Sequence, residues 1–187
     1  MSNGIRVADY ELRRHGAADV ELMYESLGDV YEAAYADRID GAFRSRPRFL
    51  DRLEAHRHRD GFELVGGAQA GSLIGFMYGF TLHPHTDWWT GFDGELPEEI
   101  LSLTQEGNVF AVAELAVLPA WRRRGVAHNL HEGLVGERIE AVATLLVDPA
   151  NQPARSAYRA WGWEQIGHLQ PALGAPRFES HIRWRQR

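Results

Sequence analysis

The sequence predicts an α/β fold, a sandwich built on a sheet of mixed strand direction, and three observations carry that expectation. The 187 residues fit one ordinary domain, taken as residues 1–187. A hydrophobic fraction of 44% with 25% charged residues is the balance of a globular chain with a packed core. Alternating and three-four apolar spacings succeed each other as strand, two helices, a run of strands, strand–helix–strand–helix, and closing strands. No internal repeat, low-complexity tract or linker interrupts that order.

The elements follow from the N-terminus. Ile5 to Tyr10 alternates as a short strand. From Val20, the positions Met23, Leu27, Val30, Tyr31, Ala34 and Tyr35 recur every three or four residues, which predicts a helix despite Gly28. Pro47 to His58 reads as a second helix with Phe49, Leu50 and Leu53 inward. FELVGG and SLIGFMYGFTL flank the turn AQAG as an antiparallel hairpin. Residues 82–108 are irregular except for a short helix opened by Pro97, with Glu98 and Glu99 in its first turn. VFAVAELAVL is a long apolar strand. A helix is expected from Arg124 to Glu140 with Val126, Leu130, Leu134 and Ile139 on one face. ATLLV is a buried strand, Asn151 to Trp161 a helix, and WEQIGHL and FESHIRWR the last two strands.

Composition excludes several chemistries. A formal charge of -6 lacks the basic field that a general nucleic-acid surface needs. With no cysteine there is no disulfide, thiolate metal site or cysteine nucleophile. Every basic residue is arginine, so lysine Schiff bases and lysine-dependent phosphate loops are absent as well. MSNGIRVADY has no signal-peptide pattern and no later stretch reads as a membrane span, so a cytoplasmic protein without membrane partners is expected.

PAWRRRGVAHNLHEGLV sets Arg122, Arg123 and Arg124 against a helix N-terminus, where cations are least welcome. A bound anion resolves the conflict. First-turn N–H groups point outward, Gly125 lets backbone approach closely, and arginines then screen a phosphate. A solvated turn with its arginines in water is the plainer alternative.

Pro119-x-x-Arg122-x-x-Gly125-x-Ala127 resembles the acetyl-CoA signature of the GNAT N-acetyltransferase superfamily, and ELAVLP resembles the strand that precedes it there. Asn151-x-x-Ala154-x-x-x-Tyr158 with Trp161-Gly162-Trp163 resembles that superfamily's helix after the fifth strand. The resemblance implies a GNAT-like fold, with helices on both faces of a central mixed sheet and a splayed pair of parallel strands. It implies acetyl transfer from acetyl-CoA to an amine in a ternary complex. Backbone of Leu115, Ala116 and Val117 would meet the pantetheine arm, and Arg122, Arg123, Arg124, Gly125, Val126, Ala127 and His128 the diphosphate. Asn151 would fix the pantetheine or the neighbouring chain.

Acyl transfer needs a neutral amine, whose ordinary pKa is roughly 10.4, so a base is required. Glu114, interrupting an apolar strand, is the candidate; a salt-bridged structural glutamate is the alternative. Tyr158 resembles the family's general acid for the leaving thiolate, against a core tyrosine as alternative. Some members carry a catalytic glutamate five residues before the motif asparagine, where this chain has Leu146.

Trp88, Trp89 and Phe92, after His83 and His85, could stack on an acceptor or plug the core beneath a long loop. Glu21, Glu25, Asp29 and Glu32 could draw in a cation or form a solvated helix face. His56-x-His58, His83-x-His85 and His128-x-x-His131 do not supply three converging ligands, so no metal is expected. Partners are then an amine-bearing small molecule or peptide and no nucleic acid, with a homodimer left open. A non-catalytic CoA-binding module and a nucleotide- or phosphate-binding protein are the rival readings; no Gly-x-Gly-x-x-Gly supports a dinucleotide site.

Overall fold

A computed structural model describes residues 5–7, 9–36, 45–171 and 175–185. These form two compact units, residues 1–80 with 113–137 and residues 81–112 with 138–187. Among the described residues no helix is long and apolar enough to cross a membrane.

In the first unit, strands β1 (Ile5–Val7), β2 (Tyr10–His15), β3 (Glu63–Gln69) and β4 (Ser72–Thr81) are hydrogen-bonded in that order, each antiparallel to the last. The expected strand from Ile5 to Tyr10 is therefore two, with Val7 facing Tyr10 across a turn. Only Tyr10 and Leu12 of β2 are buried, so YELRRH has too few apolar positions to announce a strand. The β3–β4 turn falls on Ala70 (φ 48°) and Gly71 (φ 84°), both left-handed as a two-residue hairpin of the primed type requires.

Helices α1 (Ala17–Glu21) and α2 (Tyr24–Tyr35) divide what periodicity predicts as one helix. Helix α3 (Arg46–Arg57) buries Phe49 and Leu53 as expected, with Leu50 partly buried. Tyr31 stacks on Phe49 at 4.2 Å, and together with Val20, Leu27, Leu53, Leu64 and Phe76 they make the unit's apolar core. The C-terminal part of strand β5 (Val109–Val117) lies along β4: Leu118 N–H donates to Ile74 O at 2.9 Å, and a Cβ on Gly75 would meet Ala116 O at 3.0 Å. Helix α5 (Val126–Val135) lies equally close to β3, where a Cβ on Gly133 would meet Val65 at 3.3 Å.

Helix α5 is shorter than expected. It ends at Gly136, and Ile139 is 80% exposed instead of sharing the apolar face. Residues beyond it have other partners: Glu140 takes Arg138 at 2.5 Å and the Thr81 hydroxyl at 2.6 Å, and Arg185 donates to Ile139 O. Two glycines within four residues, Gly133 and Gly136, lower the helix propensity at that end.

In the second unit the order is β5 (by its first residues), β6 (Val142–Val147), β8 (Phe178–Trp184), β7 (Glu164–Leu169). Strands β5 and β6 are parallel from Val109↔Val142 to Val112↔Leu145; the other pairs are antiparallel. The expected mixed α/β sheet with a parallel pair is what forms. Helices α4 (Glu98–Gln105) and α6 (Gln152–Ala160) match the Pro97-started and Asn151-started segments.

Candidate active site

Three elements of the first unit converge on Glu114. The carboxylate is only 12% exposed; Tyr35, last residue of α2, donates its hydroxyl to Oε1 at 2.7 Å, and Arg52 of α3 brings Nη2 to 3.8 Å from Oε2. Burial would lower the Arg52 guanidinium, but the Glu114 charge and the Tyr31 hydroxyl outweigh it and raise it above its ordinary value. Tyr78, buried beside them, is pushed up strongly by burial and then by the Glu114 charge, so it stays a neutral phenol. His56 Nδ1 lies 3.2 Å from that phenol oxygen. A largely buried carboxylate with a hydroxyl donor and a cation beside it is built into the fold.

Strand β5 then runs into a 3-10 turn, Pro119–Trp121, and the arginines. Arg123 (φ 60°) and Gly125 (φ 79°) both take left-handed backbone. Only glycine adopts that conformation without steric cost, and alternating hands turn successive N–H groups toward one concavity that suits an anion. Asn129 N–H donates to Gly125 O as the first helical bond, which leaves the N–H groups of Val126, Ala127 and His128 outside the helix ladder. Nothing stands within 4 Å of a Cβ placed on Gly125.

The three arginines have different settings. Arg122 donates to Ala34 O at 2.5 Å, in the last turn of α2, where carbonyls lack helical partners and a cation meets the favourable end of the dipole. The guanidinium of Arg124 lies 4.5 Å over the Trp121 ring, which sits edge-on to Tyr10, and Asn129 donates to the Tyr10 hydroxyl at 2.6 Å. Arg123, Arg124, Gly125 and His128 are exposed; Val126 is buried and Ala127 half-buried. Leu115 is half-buried, Ala116 and Val117 buried.

In the second unit, Asn151 caps α6, its Oδ1 accepting from Ala154 N–H at 3.4 Å. Tyr158 is buried edge-on to Trp161 at 5.7 Å and to Trp163 at 5.9 Å. Gly162 (φ 81°) ends the helix and lets Trp163 N–H return to Tyr158 O at 3.0 Å.

Side chains singled out outside the two motifs also have partners in the structure. Trp89 Nε1 donates to Thr104 of α4 at 3.2 Å, and Phe92 pairs with Leu169 and lies where a Gly167 side chain would stand, so these rings anchor the long loop. Arg46 bridges Glu25 at 2.7 Å, Asp29 at 2.5 Å and Glu32 at 3.7 Å, and Arg57 lies 3.8 Å from Glu21, so the acidic residues of α1 and α2 are answered from α3. Tyr35, Arg52 and Tyr78 escape sequence reasoning because three separate elements bring them to Glu114.

The Acetyltransferase (GNAT) family model matches residues 21–163. Ard1 from Thermoplasma volcanium shares the fold at TM-score 0.62 and 17% identity, over 96% of this chain and 100% of that one. The ribosomal-protein-S18-alanine N-acetyltransferase of Escherichia coli aligns at TM-score 0.61 and 14% identity, over 95% of each chain. PaiA N-acetyltransferase from Thermoplasma acidophilum, solved with coenzyme A, aligns at 0.57 and 14%, over 94% and 99%. No curated protein matches in sequence. With the family's model spanning α2 through α6 and the fold shared across these acetyltransferases, the chain belongs to the GNAT acetyltransferase family.

Proposed function

We propose that residues 1–187 act as one acetyltransferase domain moving acetyl from acetyl-CoA directly to an amine in a ternary complex. The observation that carries this reading is the turn from Arg122 to His128, with two left-handed residues and three first-turn N–H groups outside the helix ladder. The diphosphate takes those N–H groups, with Arg123 and Arg124 adding charge-assisted hydrogen bonds. Backbone of Leu115, Ala116 and Val117, with Asn151, holds the pantetheine. The amine nitrogen attacks the thioester carbon and the C–S bond breaks. Glu114 accepts the amine's proton, directly or through water, and Tyr158 protonates the departing thiolate.

The test is an amine panel assayed by release of CoA thiol, run beside competition of acetyl-CoA with ATP and NAD. Thiol release with a subset of amines supports transfer. Acetyl-CoA binding without release on any amine leaves a binding module, and displacement by ATP or NAD favours the nucleotide reading.

A further inference from the structure

His128, His131 and Glu132 occupy positions i, i+3 and i+4 of α5, a spacing that brings them to one side of the helix. Each offers one ligand atom, and the three atoms lie within 4.8 Å of one another. Ligands about 2.1 Å from a tetrahedral ion stand about 3.4 Å apart, so small side-chain rotations complete the geometry. His131 is fully buried, which fixes its ring, and its Nδ1 lies 2.8 Å from Glu132 Oε1. His128 is exposed and Glu132 partly so, leaving a path from solvent. The two imidazole planes are within 13° of parallel, with centroids 6.5 Å apart.

Two imidazole nitrogens and one carboxylate oxygen suit zinc-class divalent ions better than calcium or magnesium, which prefer all-oxygen shells. We propose that His128, His131 and Glu132 form a surface binding site for a zinc-class divalent cation, with water in the fourth position. The expectation of no metal considered histidine pairs alone; Glu132 supplies the third ligand. Of the other histidines, His56 Nδ1 lies 3.2 Å from the Tyr78 hydroxyl, His58 pairs with Glu54 at 3.0 Å, and His83 accepts from the His85 backbone N–H at 3.1 Å.

The test uses chelator-treated protein titrated with Zn²⁺ by calorimetry and with Co²⁺ by visible absorption. One equivalent of Zn²⁺ and the d–d bands of four-coordinate cobalt are expected. His128→Ala alters an exposed position and Glu132→Gln keeps side-chain size; each should weaken Zn²⁺ binding by at least about tenfold. Absence of Zn²⁺ uptake by the unmodified protein overturns the site. So does unchanged uptake in both folded variants, which would place the ion on other histidines.

Discussion

The Tyr35 hydroxyl donates to Glu114 Oε1 at 2.7 Å and so ties the end of α2 to the middle of β5. The donor fixes the orientation of a mostly buried carboxylate, which a positioned proton acceptor needs. Glu114→Gln keeps the shape and removes the acceptor. Turnover should fall by about 10²-fold, and the acid limb of the pH–rate profile should disappear. A limb that persists removes Glu114 as base. Tyr35→Phe should lower stability by about 1–2 kcal/mol in a denaturant melt.

Arg122 and Arg124 are separable by their partners. Arg122→Ala deletes the bond to Ala34 O at the end of α2 and should cost about 1–2 kcal/mol of stability along with coenzyme affinity. Arg124 lies over the Trp121 ring in a cation–π contact, so Arg124→Ala should weaken acetyl-CoA binding with a stability change under about 1 kcal/mol. Calorimetric titration beside thermal melts of both variants reads the difference; equal melts would contradict the role given to Arg122.

Gly125→Ala probes the backbone alone. Its added Cβ meets nothing within 4 Å, so any loss comes from holding a φ of 79°. The expected destabilisation is about 1–2 kcal/mol. Coenzyme affinity should fall with it as the turn relaxes away from the anion-binding shape. Arg123→Gly, at the other left-handed position, should stabilise the turn slightly while removing one charge, and a pair of melts tests the contrast.

Tyr158→Phe isolates one oxygen. The ring packs edge-on against Trp161 and Trp163, contacts that phenylalanine reproduces, so the fold should persist. Turnover should drop with little change in acetyl-CoA affinity. Equal loss of both would mark the hydroxyl as a structural bond instead of a proton donor.

Where apolar spacing is regular, sequence and structure agree: β3, β4, α4, β5, β6 and α6 lie within a residue or two of expectation, because burial on one face writes a period into the chain. Agreement ends where polar contacts decide. YELRRH pairs as a strand although four of its six residues are charged or histidine, and Arg138–Glu140 replaces the last turn of α5. Glu114 stood out because one carboxylate broke an apolar run. Tyr35 and Arg52 carried no such signal, since each sits in an ordinary helical pattern and acquires meaning only through a partner 79 or 62 residues away. The arginine run was legible as a group; its division between Ala34 O and Trp121 was not.

His181 and Glu179 couple stability to acid. Burial lowers the His181 imidazole, with Glu179 opposing only in part. Burial alone would raise the Glu179 carboxyl, but the Arg155 hydrogen bond at 2.9 Å and the one from His181 hold it below its ordinary value. An ionised Glu179 accepts from His181 Nε2, which puts the proton on that nitrogen and leaves Nδ1 buried with no partner among the described residues. Charging the ring would strand an N–H there, with Arg155 and Arg159 opposing as well. Below about pH 6.5 the unfolded histidine takes up a proton that the folded one resists, so stability declines as pH falls; below about pH 4.3 the unfolded Glu179 adds a second loss. Each proton contributes at most about 1.4 kcal/mol per pH unit. Melting temperature should therefore drop between pH 7 and 5, and His181→Gln should flatten the decline. His15, also lowered by burial, preserves part of the slope. A slope unchanged by His181→Gln would assign the acid sensitivity to other groups.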